Sequence, residues 1–132
     1  MMASTRGMRI AGWALSGLAI AFLLFDVAIH VAKERHAVES MVSLGWDPAL
    51  LPLVGGIEAV CLLLYCIPRT AALGAVLLTG YLGGAIATNL RAATPVFNMV
   101  FPVLLGGLLW GGLWLRKGRI RQVMPLLSPA DP

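Results

Sequence analysis

Apolar residues in this chain are gathered into long runs that short polar segments separate. Four of the runs approach or reach the roughly 20 mostly apolar residues that a helix needs to cross a bilayer. They cover residues 8–31, 49–67, 70–90 and 96–115. Because lipid offers the backbone no hydrogen-bond partners, runs of this kind are expected to be helices rather than open strands. The sequence therefore predicts an all-α integral membrane four-helix bundle, a single transmembrane domain over 1–132 with a basic tail at 116–132.

Composition agrees with a membrane protein. Apolar residues make up 59% of the 132 residues and charged residues 12%, whereas about 25% of the residues of a typical soluble domain are charged. The net charge of +4 does not indicate nucleic acid, because that partner needs basic residues clustered on a polar face. Most basic residues here flank the apolar runs, so the expected partner is the lipid bilayer and not nucleic acid.

Capping residues mark the breaks between the runs. The segment "WDPALLP" offers Asp47 as a helix N-cap with Pro48 at the first helical position. The segment "IPRT" ends one helix at Pro68 and offers Thr70 to cap the next. The connection between these two helices is so short that they are predicted to form an antiparallel hairpin.

The segment "KERHAVESMVSLGWDP" between the first two runs is neither a span nor a simple turn. Val38, Met41, Val42 and Gly45 fall at helical spacing within it. This spacing predicts a short amphipathic helix at the membrane interface, which could cover one end of the bundle. The alternative is a solvated loop with a single helical turn.

Positive charge near the membrane ends predicts the orientation of the chain. With four spans both termini share one side. The basic residues of that side are Arg6, Arg9, Arg69, Arg116, Lys117, Arg119 and Arg121, and those of the other side are Lys33, Arg35 and Arg91. The excess predicts that both termini are cytoplasmic.

Small residues recur at intervals of four in the later spans. Gly80 and Gly84 form such a pair in the third span, Gly107 and Gly111 form one in the fourth, and Gly55 lies in the second. Small residues let helices approach closely in lipid, where the hydrophobic effect supplies little drive. The glycines predict packing within one bundle, and a dimer interface is the alternative.

Several ionisable and polar side chains interrupt the apolar runs. A charge at mid-bilayer costs roughly 2.5–3.5 kcal/mol on insertion scales, so it rarely faces lipid. Glu58 lies near the midplane of the second span, and Asp26 and His30 share one face of the first because they are four residues apart. Comparison of depths predicts one polar cluster in the outer half of the bundle, with Glu58 at its floor. Its predicted members are Asp26, His30, Glu58, Tyr81, Asn89 and Arg91.

At least some of the groups in this cluster must be neutral or paired. We expect Asp26 to pair with His30 or Arg91, and Glu58 to be protonated or hydrogen-bonded to Tyr81. Two interpretations remain open. The cluster is either a set of interhelical hydrogen bonds that stabilises the fold or a site for a ligand or a proton.

The two cysteines do not belong to this cluster as a redox pair. Cys61 and Cys66 are five residues apart, which on a helix is about 8 Å and beyond the roughly 7 Å that a disulfide spans between Cα atoms. Cys61 is expected to be a small buried apolar residue. His30 and His36 are six apart and no metal-ligand spacing occurs, so neither a metal site nor catalytic residues are predicted.

Three stretches resemble the DoxX-like family of small bacterial membrane proteins. They are "GWALSGLAIAFLLFDVAIH", "LGWDPALLPLVGGIEAVCLLLYCIPRTAALGAVLLTGYLGGAIATNLR" and "FPVLLGGLLWGGLWLR". The resemblance implies a four-helix bundle in the bacterial inner membrane. Some relatives are associated with membrane redox systems such as a thiosulfate:quinone oxidoreductase, which implies a similar association for this chain. The resemblance also implies that the family-like positions are Asp26, Glu58, Tyr81, Asn89 and Arg91. Relatives often have histidine where Asn89 stands, and because asparagine is a poor transition-metal ligand, this departure argues against a haem or metal at that position.

These observations favour an accessory or redox-associated subunit, without catalytic activity of its own, whose outer-half pocket holds a small apolar molecule such as a quinone. Its expected protein partners are a membrane redox complex or a second copy of the chain. One alternative is a dimeric proton-coupled exporter of small molecules that uses Glu58 and Asp26. Another is a purely structural membrane subunit. A quinone-linked redox enzyme would need a bound cofactor, for which the sequence offers no ligands.

Overall fold

A computed structural model describes residues 2–125 of the chain, with side chains from residue 5 onward. The helices are α1 (Met2–Val31), α2 (Arg35–Ser43), α3 (Leu51–Cys66), α4 (Ala71–Arg91), α5 (Phe97–Arg116) and α6 (Gly118–Val123), and a 3₁₀ turn (Pro48–Leu50) leads into α3. No strand occurs in this part of the chain. The all-α fold predicted from the apolar runs is confirmed.

Four helices within the described range are long and apolar enough to cross a membrane. The candidate spans are Thr5–Val31, Pro48–Cys66, Ala71–Arg91 and Phe97–Arg116, so the protein is a membrane four-helix bundle. The helix that contains the first span begins at Met2, ahead of the predicted start at residue 8. Apolar runs mark the part of a helix that lies in hydrocarbon, whereas the helix itself can continue into the interface, where water and headgroups satisfy its end.

The four membrane helices pack as a ring in chain order. α1 contacts α3, α3 contacts α4, α4 contacts α5, and α5 returns to contact α1. Neighbouring helices are antiparallel. Gly12 near the start of α1 lies against Gly112 near the end of α5, and Gly55 near the start of α3 lies against His30 near the end of α1. We call this end of the bundle, which also carries α6, the basic end. The opposite end is the α2 end, where α2 packs against α1 and α3.

The predicted amphipathic helix is present as α2. Ala37 and Met41 are buried against Leu51 at the start of α3. Val42, which the spacing placed on the apolar face, is 59% exposed instead. On a helix Val42 is rotated about 100° from Met41, by the 3.6 residues of each turn, so a face centred on Ala37 and Met41 leaves it at the side.

Of the two N-caps predicted at the helix connections, the one at Asp47 is present and the one at Thr70 is not. Asp47 Oδ1 accepts a hydrogen bond from Ala49 N at 2.9 Å, with Pro48 at the start of the 3₁₀ turn. Thr70 precedes α4 but makes no side-chain cap. Its hydroxyl donates to Leu64 O at 2.7 Å, because the tight α3–α4 turn brings a free carbonyl of the preceding helix within its reach.

The closest helix approaches depend on glycines that the interval-of-four pattern does not reveal. A Cβ on Gly12 would lie 2.8 Å from the carbonyl oxygen of Gly112. A Cβ on Gly74 would overlap the backbone of Tyr65 in α3. These contacts fix the α1–α5 and α3–α4 crossings at the basic end.

The glycines chosen from the sequence behave differently from one another. Gly55 packs against the end of α1 as predicted, and Gly111 meets a side-chain methyl of α1 at 3.6 Å. A Cβ on Gly80, Gly84 or Gly107 would meet no described atom within 4 Å. The prediction that these three pack against another helix of the bundle is therefore wrong, because close packing needs a facing residue that one helix's own pattern does not specify.

Candidate functional site

A cavity of about 700 Å³ occupies the bundle beneath α2, a volume within the roughly 300–1,000 Å³ of typical ligand pockets. All four membrane helices contribute to its wall. The apolar lining comprises Phe22, Leu23, Phe25, Met41, Leu44, Val54, Ile57, Leu82, Ala85, Phe101, Pro102 and Leu105. The polar or amphipathic lining comprises Asp26, His30, Trp46, Tyr81, Thr88 and Asn89. The cavity is thus an apolar chamber with a few polar groups.

Glycines on α4 provide part of this space. Gly80 and Gly84 both line the cavity, and neither has another helix against the position of its missing Cβ. The two glycines, which the sequence pattern assigned to tight packing, therefore leave open space in the cavity for a ligand. The outer aromatic wall includes Phe22 and Phe101, whose rings meet edge to face with centroids 5.6 Å apart.

Asp26 and His30 form the α1 side of the polar floor. His30 Nδ1 lies 2.7 Å from the main-chain oxygen of Asp26 and 3.3 Å from its Oδ2. The imidazole is more enclosed than the carboxylate, with side-chain exposures of 17% and 41%. The expected pairing of Asp26 with His30 is present in the structure, because the spacing of four places both side chains on one face.

Glu58 lies on α3 behind this floor: it is fully buried, at 0% exposed, and is not one of the residues that line the cavity. Tyr81 of α4 donates its hydroxyl hydrogen to Glu58 Oε2 at 3.1 Å, which is the hydrogen bond expected from the depths of the two residues. The other oxygen, Oε1, is buried and has no hydrogen-bond partner among the described residues. A buried polar atom left in this way costs about 1–3 kcal/mol, so this oxygen favours a proton or a cation held between Glu58 and the side chains beside it.

The Asp26 and His30 side chains of α1 lie close to the Glu58 carboxyl of α3. One carboxylate oxygen of Asp26, one of Glu58 and a ring nitrogen of His30 lie within 4.8 Å of one another. With Tyr81 these residues join α1, α3 and α4, and we call the four the carboxylate cluster. Two carboxylates so close in a low-dielectric site repel each other unless a proton or cation lies between them.

Asn89 and Arg91 do not join the carboxylate cluster. Asn89 lines the cavity, but its Nδ2 donates to Ala85 O at 2.8 Å and its Oδ1 accepts from the Thr94 hydroxyl at 2.8 Å. Arg91 Nη2 donates to Leu44 O at 2.8 Å. Because α4 ends at Arg91, this guanidinium reaches over the α2 end and fastens the end of α2 to α4.

His36, the second histidine of the sequence, also lies outside the cavity. Its Nδ1 is 2.9 Å from Glu34 Oε1, and both residues precede or begin α2 on the surface. The hydrogen bond raises the pKa of His36 and lowers that of Glu34. Glu34 also caps α2, because its Oε2 accepts from His36 N at 2.8 Å.

Sequence reasoning missed a second buried polar group, at the basic end. The Tyr65 hydroxyl donates to Leu109 O at 2.6 Å and lies 2.8 Å from Ser16 Oγ. Tyr65 is 1% and Ser16 0% exposed, and together they tie α3 to α1 and α5. Comparing the depths of hydroxyls on antiparallel spans could have paired them.

The cysteines are both free. Cys61 is buried in the core and Cys66 is exposed. The predicted absence of a bridge between them agrees with the helical geometry of α3.

Comparison with known protein families matches residues 14–112 to the DoxX-like family. The matched range runs from α1 through most of α5 and contains the whole carboxylate cluster. No curated protein and no solved structure matches the chain. Since the family match extends over well more than half of the sequence, the chain belongs to the DoxX-like family.

Proposed function

We propose that this protein is a non-catalytic accessory subunit of the bacterial inner membrane that binds a small apolar molecule with a polar head, of the quinone type. The observation that carries the proposal is the cavity beneath α2, which combines apolar walls with a few convergent polar groups. Ligand pockets of membrane bundles have this composition, because apolar walls bury the ligand and polar groups orient it.

The walls suit a planar ring with a hydrocarbon tail. Phe22, Phe101 and Trp46 offer aromatic faces and edges that pack on a flat ring. The carboxylate cluster borders the cavity through Asp26, His30 and Tyr81, where a protonated Asp26 would donate to a ring oxygen. A quinone oxygen accepts such a hydrogen bond, and a quinol hydroxyl can donate to the Asp26 carboxylate, which lines the cavity.

The orientation in the membrane follows from charge. The start of α1 and the end of α5 share the basic end, since Gly12 packs on Gly112. The excess of basic residues at this end supports cytoplasmic termini and a cavity in the outer half of the membrane. The association of DoxX-like relatives with membrane redox systems makes a membrane redox complex the proposed partner.

A pair of neighbouring glycines allows a direct test. Leucine at Gly84 would project into the cavity, whereas leucine at Gly83 would not, because Gly83 lies outside the lining. Neither Cβ meets a described atom within 4 Å, so both variants should fold. With decylubiquinone as the probe, we expect an upward shift of the unfolding temperature for wild type and Gly83→Leu but none for Gly84→Leu. Equal shifts in all three proteins, or none in any, would refute the pocket.

A dimeric proton-coupled exporter is the second candidate, and the closeness of Asp26 and Glu58 is the observation that favours it. Such an exporter needs a second copy to complete a pathway. Gly107 is exposed and its Cβ position is open, so Gly107→Cys reports on contact between copies. In a Cys66→Ser background, because Cys66 is exposed, crosslinking of Gly107→Cys in membranes together with proton-driven transport would favour the exporter, whereas absence of transport would favour the accessory subunit.

A further inference from the structure

We propose that Asp26, His30 and Glu58 form a binding site for a divalent transition-metal ion of the Zn²⁺ or Mn²⁺ kind. The proposal starts from their geometry. One donor atom of each residue lies within 4.8 Å of the other two. Donors on one such ion, at bond lengths of about 2.0–2.2 Å, are roughly 3–4.3 Å apart, so small side-chain rotations bring these three onto a common ion.

The contacts around these donors leave the required lone pairs free. Tyr81 holds Glu58 Oε2 at 3.1 Å, while Oε1 is fully buried and unpartnered within the described chain. His30 Nδ1 lies 2.7 Å from the Asp26 main-chain oxygen. A hydrogen bond there puts the imidazole proton on Nδ1, the nitrogen that also lies 3.3 Å from Asp26 Oδ2, so the lone pair is on Nε2 and a rotation of the ring would bring it to the ion. Metal-binding histidines are usually held in this way, with the other ring nitrogen bonded to a carbonyl or carboxylate.

Charge and ligand type indicate the class of ion. Two carboxylates and a neutral imidazole carry two negative charges in total. A divalent cation neutralises them and so removes the repulsion between Asp26 and Glu58. Imidazole favours transition metals over Mg²⁺ and Ca²⁺, and carboxylates are acceptable to both Zn²⁺ and Mn²⁺. The ligands come from α1 and α3, with the cavity on the third side. This is the pattern of a site that keeps an open position.

Asn89 and the cysteines have no part in this site. The Asn89 side-chain amide already hydrogen-bonds to Ala85 O and to the Thr94 hydroxyl. Spacing along one helix could not reveal the site, because its third ligand comes from another helix. The metal proposal does not rest on the apolar ligand, since the three side chains meet whether or not the cavity is filled.

The test measures metal on the purified full chain in detergent. The protein is stripped with chelator, loaded with Zn²⁺ alone, desalted and analysed by plasma mass spectrometry. We expect about one ion per chain, and binding at least about tenfold weaker in Glu58→Gln, Asp26→Asn and His30→Gln, as is typical when a metal's contacts are removed. Glu39→Gln and His36→Gln are matched controls, because both residues are exposed on α2, and they should bind as wild type does.

Two further measurements keep the outcome clear if a variant folds poorly. Wild-type protein loaded with Co²⁺ should show weak visible bands without an intense thiolate band, and a thiolate band would refute this ligand set. Gly84→Leu keeps all three ligands and should bind Zn²⁺ even if it no longer responds to decylubiquinone, which separates this site from the proposed pocket. Wild type that binds no ion, or cluster variants that bind as well as the controls, would overturn the proposal.

Discussion

The Tyr81 hydroxyl and Glu58 Oε2 lie 3.1 Å apart and join α4 to α3, beside the cavity that Tyr81 lines. The bond serves a carboxyl that is completely buried, so it has two effects. It adds to the stability of the helix pair, and it restricts the orientation of the Glu58 carboxyl beside Asp26 and His30.

Tyr81→Phe separates these effects. Loss of the hydroxyl should lower the free energy of unfolding by about 1–3 kcal/mol, because it leaves the buried Glu58 Oε2 without its partner. It should weaken decylubiquinone binding more than its stability cost explains, because Glu58 loses its orientation. Thermal unfolding in detergent and a ligand titration are the measurements. Unchanged binding at reduced stability would assign Tyr81 a purely structural role.

Tyr65→Phe is the matching change at the basic end. The Tyr65 hydroxyl contacts both Leu109 O and Ser16 Oγ, so its loss leaves a buried serine hydroxyl unpaired. We expect a loss of about 1–2 kcal/mol in the free energy of unfolding and no change in ligand affinity, because Tyr65 is not part of the cavity lining. A loss of binding equal to that of Tyr81→Phe would mean that affinity follows general stability.

The contact of Gly12 with Gly112 predicts a steric effect. A Cβ on Gly112 would lie 2.8 Å from Gly12 O and 2.8 Å from Ser16 N, so α1 and α5 would have to separate. Gly112→Ala should destabilise the protein by about 1–3 kcal/mol, as overpacking usually does. Gly107→Ala on the same helix meets no described atom within 4 Å and should be neutral or slightly stabilising, since alanine favours helix. Equal unfolding temperatures for the two variants would contradict this crossing.

Local periodicity explains which parts of the site the sequence could predict. Asp26 and His30 are four apart on one helix, so their contact needs no knowledge of the fold. Glu58 and Tyr81 required one further step, the matching of depths on antiparallel spans. Depth says nothing about the direction a side chain takes around its helix axis, and for that reason the sequence could not show that Arg91 turns to Leu44 O.

The sequence predicted a pocket in the outer half of the bundle, but it did not show that Gly80 and Gly84 line it. A glycine on a membrane helix permits either close packing or open space, and the facing helix decides between them. Gly12 packs because Gly112 faces it, whereas Gly84 faces the cavity. The four spans were predictable because length and apolar composition alone determine them.

The surface pair Glu34 and His36 predicts a pH dependence for α2. The hydrogen bond raises the pKa of His36 above 6.5, so its contribution is complete below that value and is lost as pH rises through the raised pKa. The same bond lowers the pKa of Glu34 below 4.5, so that contribution is present above 4.5 and is lost as pH falls through the lowered pKa. The pair should therefore stabilise α2 most at about pH 5–6.

Hydrogen exchange can measure this. After correction for intrinsic rates, protection of α2 amides should pass through a maximum in that window relative to α4 amides. Glu34→Gln should flatten the profile, because the charge that His36 faces is gone. A profile that rises monotonically to high pH in wild type would show that the pair does not hold α2.

The orientation of the bundle can be tested with single cysteines. Ser43 at the α2 end and Arg119 in α6 are both exposed, and they lie at opposite ends of the bundle. In a Cys66→Ser background, where the remaining Cys61 is buried, an impermeant maleimide applied to intact spheroplasts should label Ser43→Cys. It should label Arg119→Cys only after the membrane is permeabilised, because the proposed orientation puts the basic end in the cytoplasm. The background protein without a new cysteine controls for Cys61. The reverse labelling pattern would place the cavity in the cytoplasmic half and would contradict the proposed orientation.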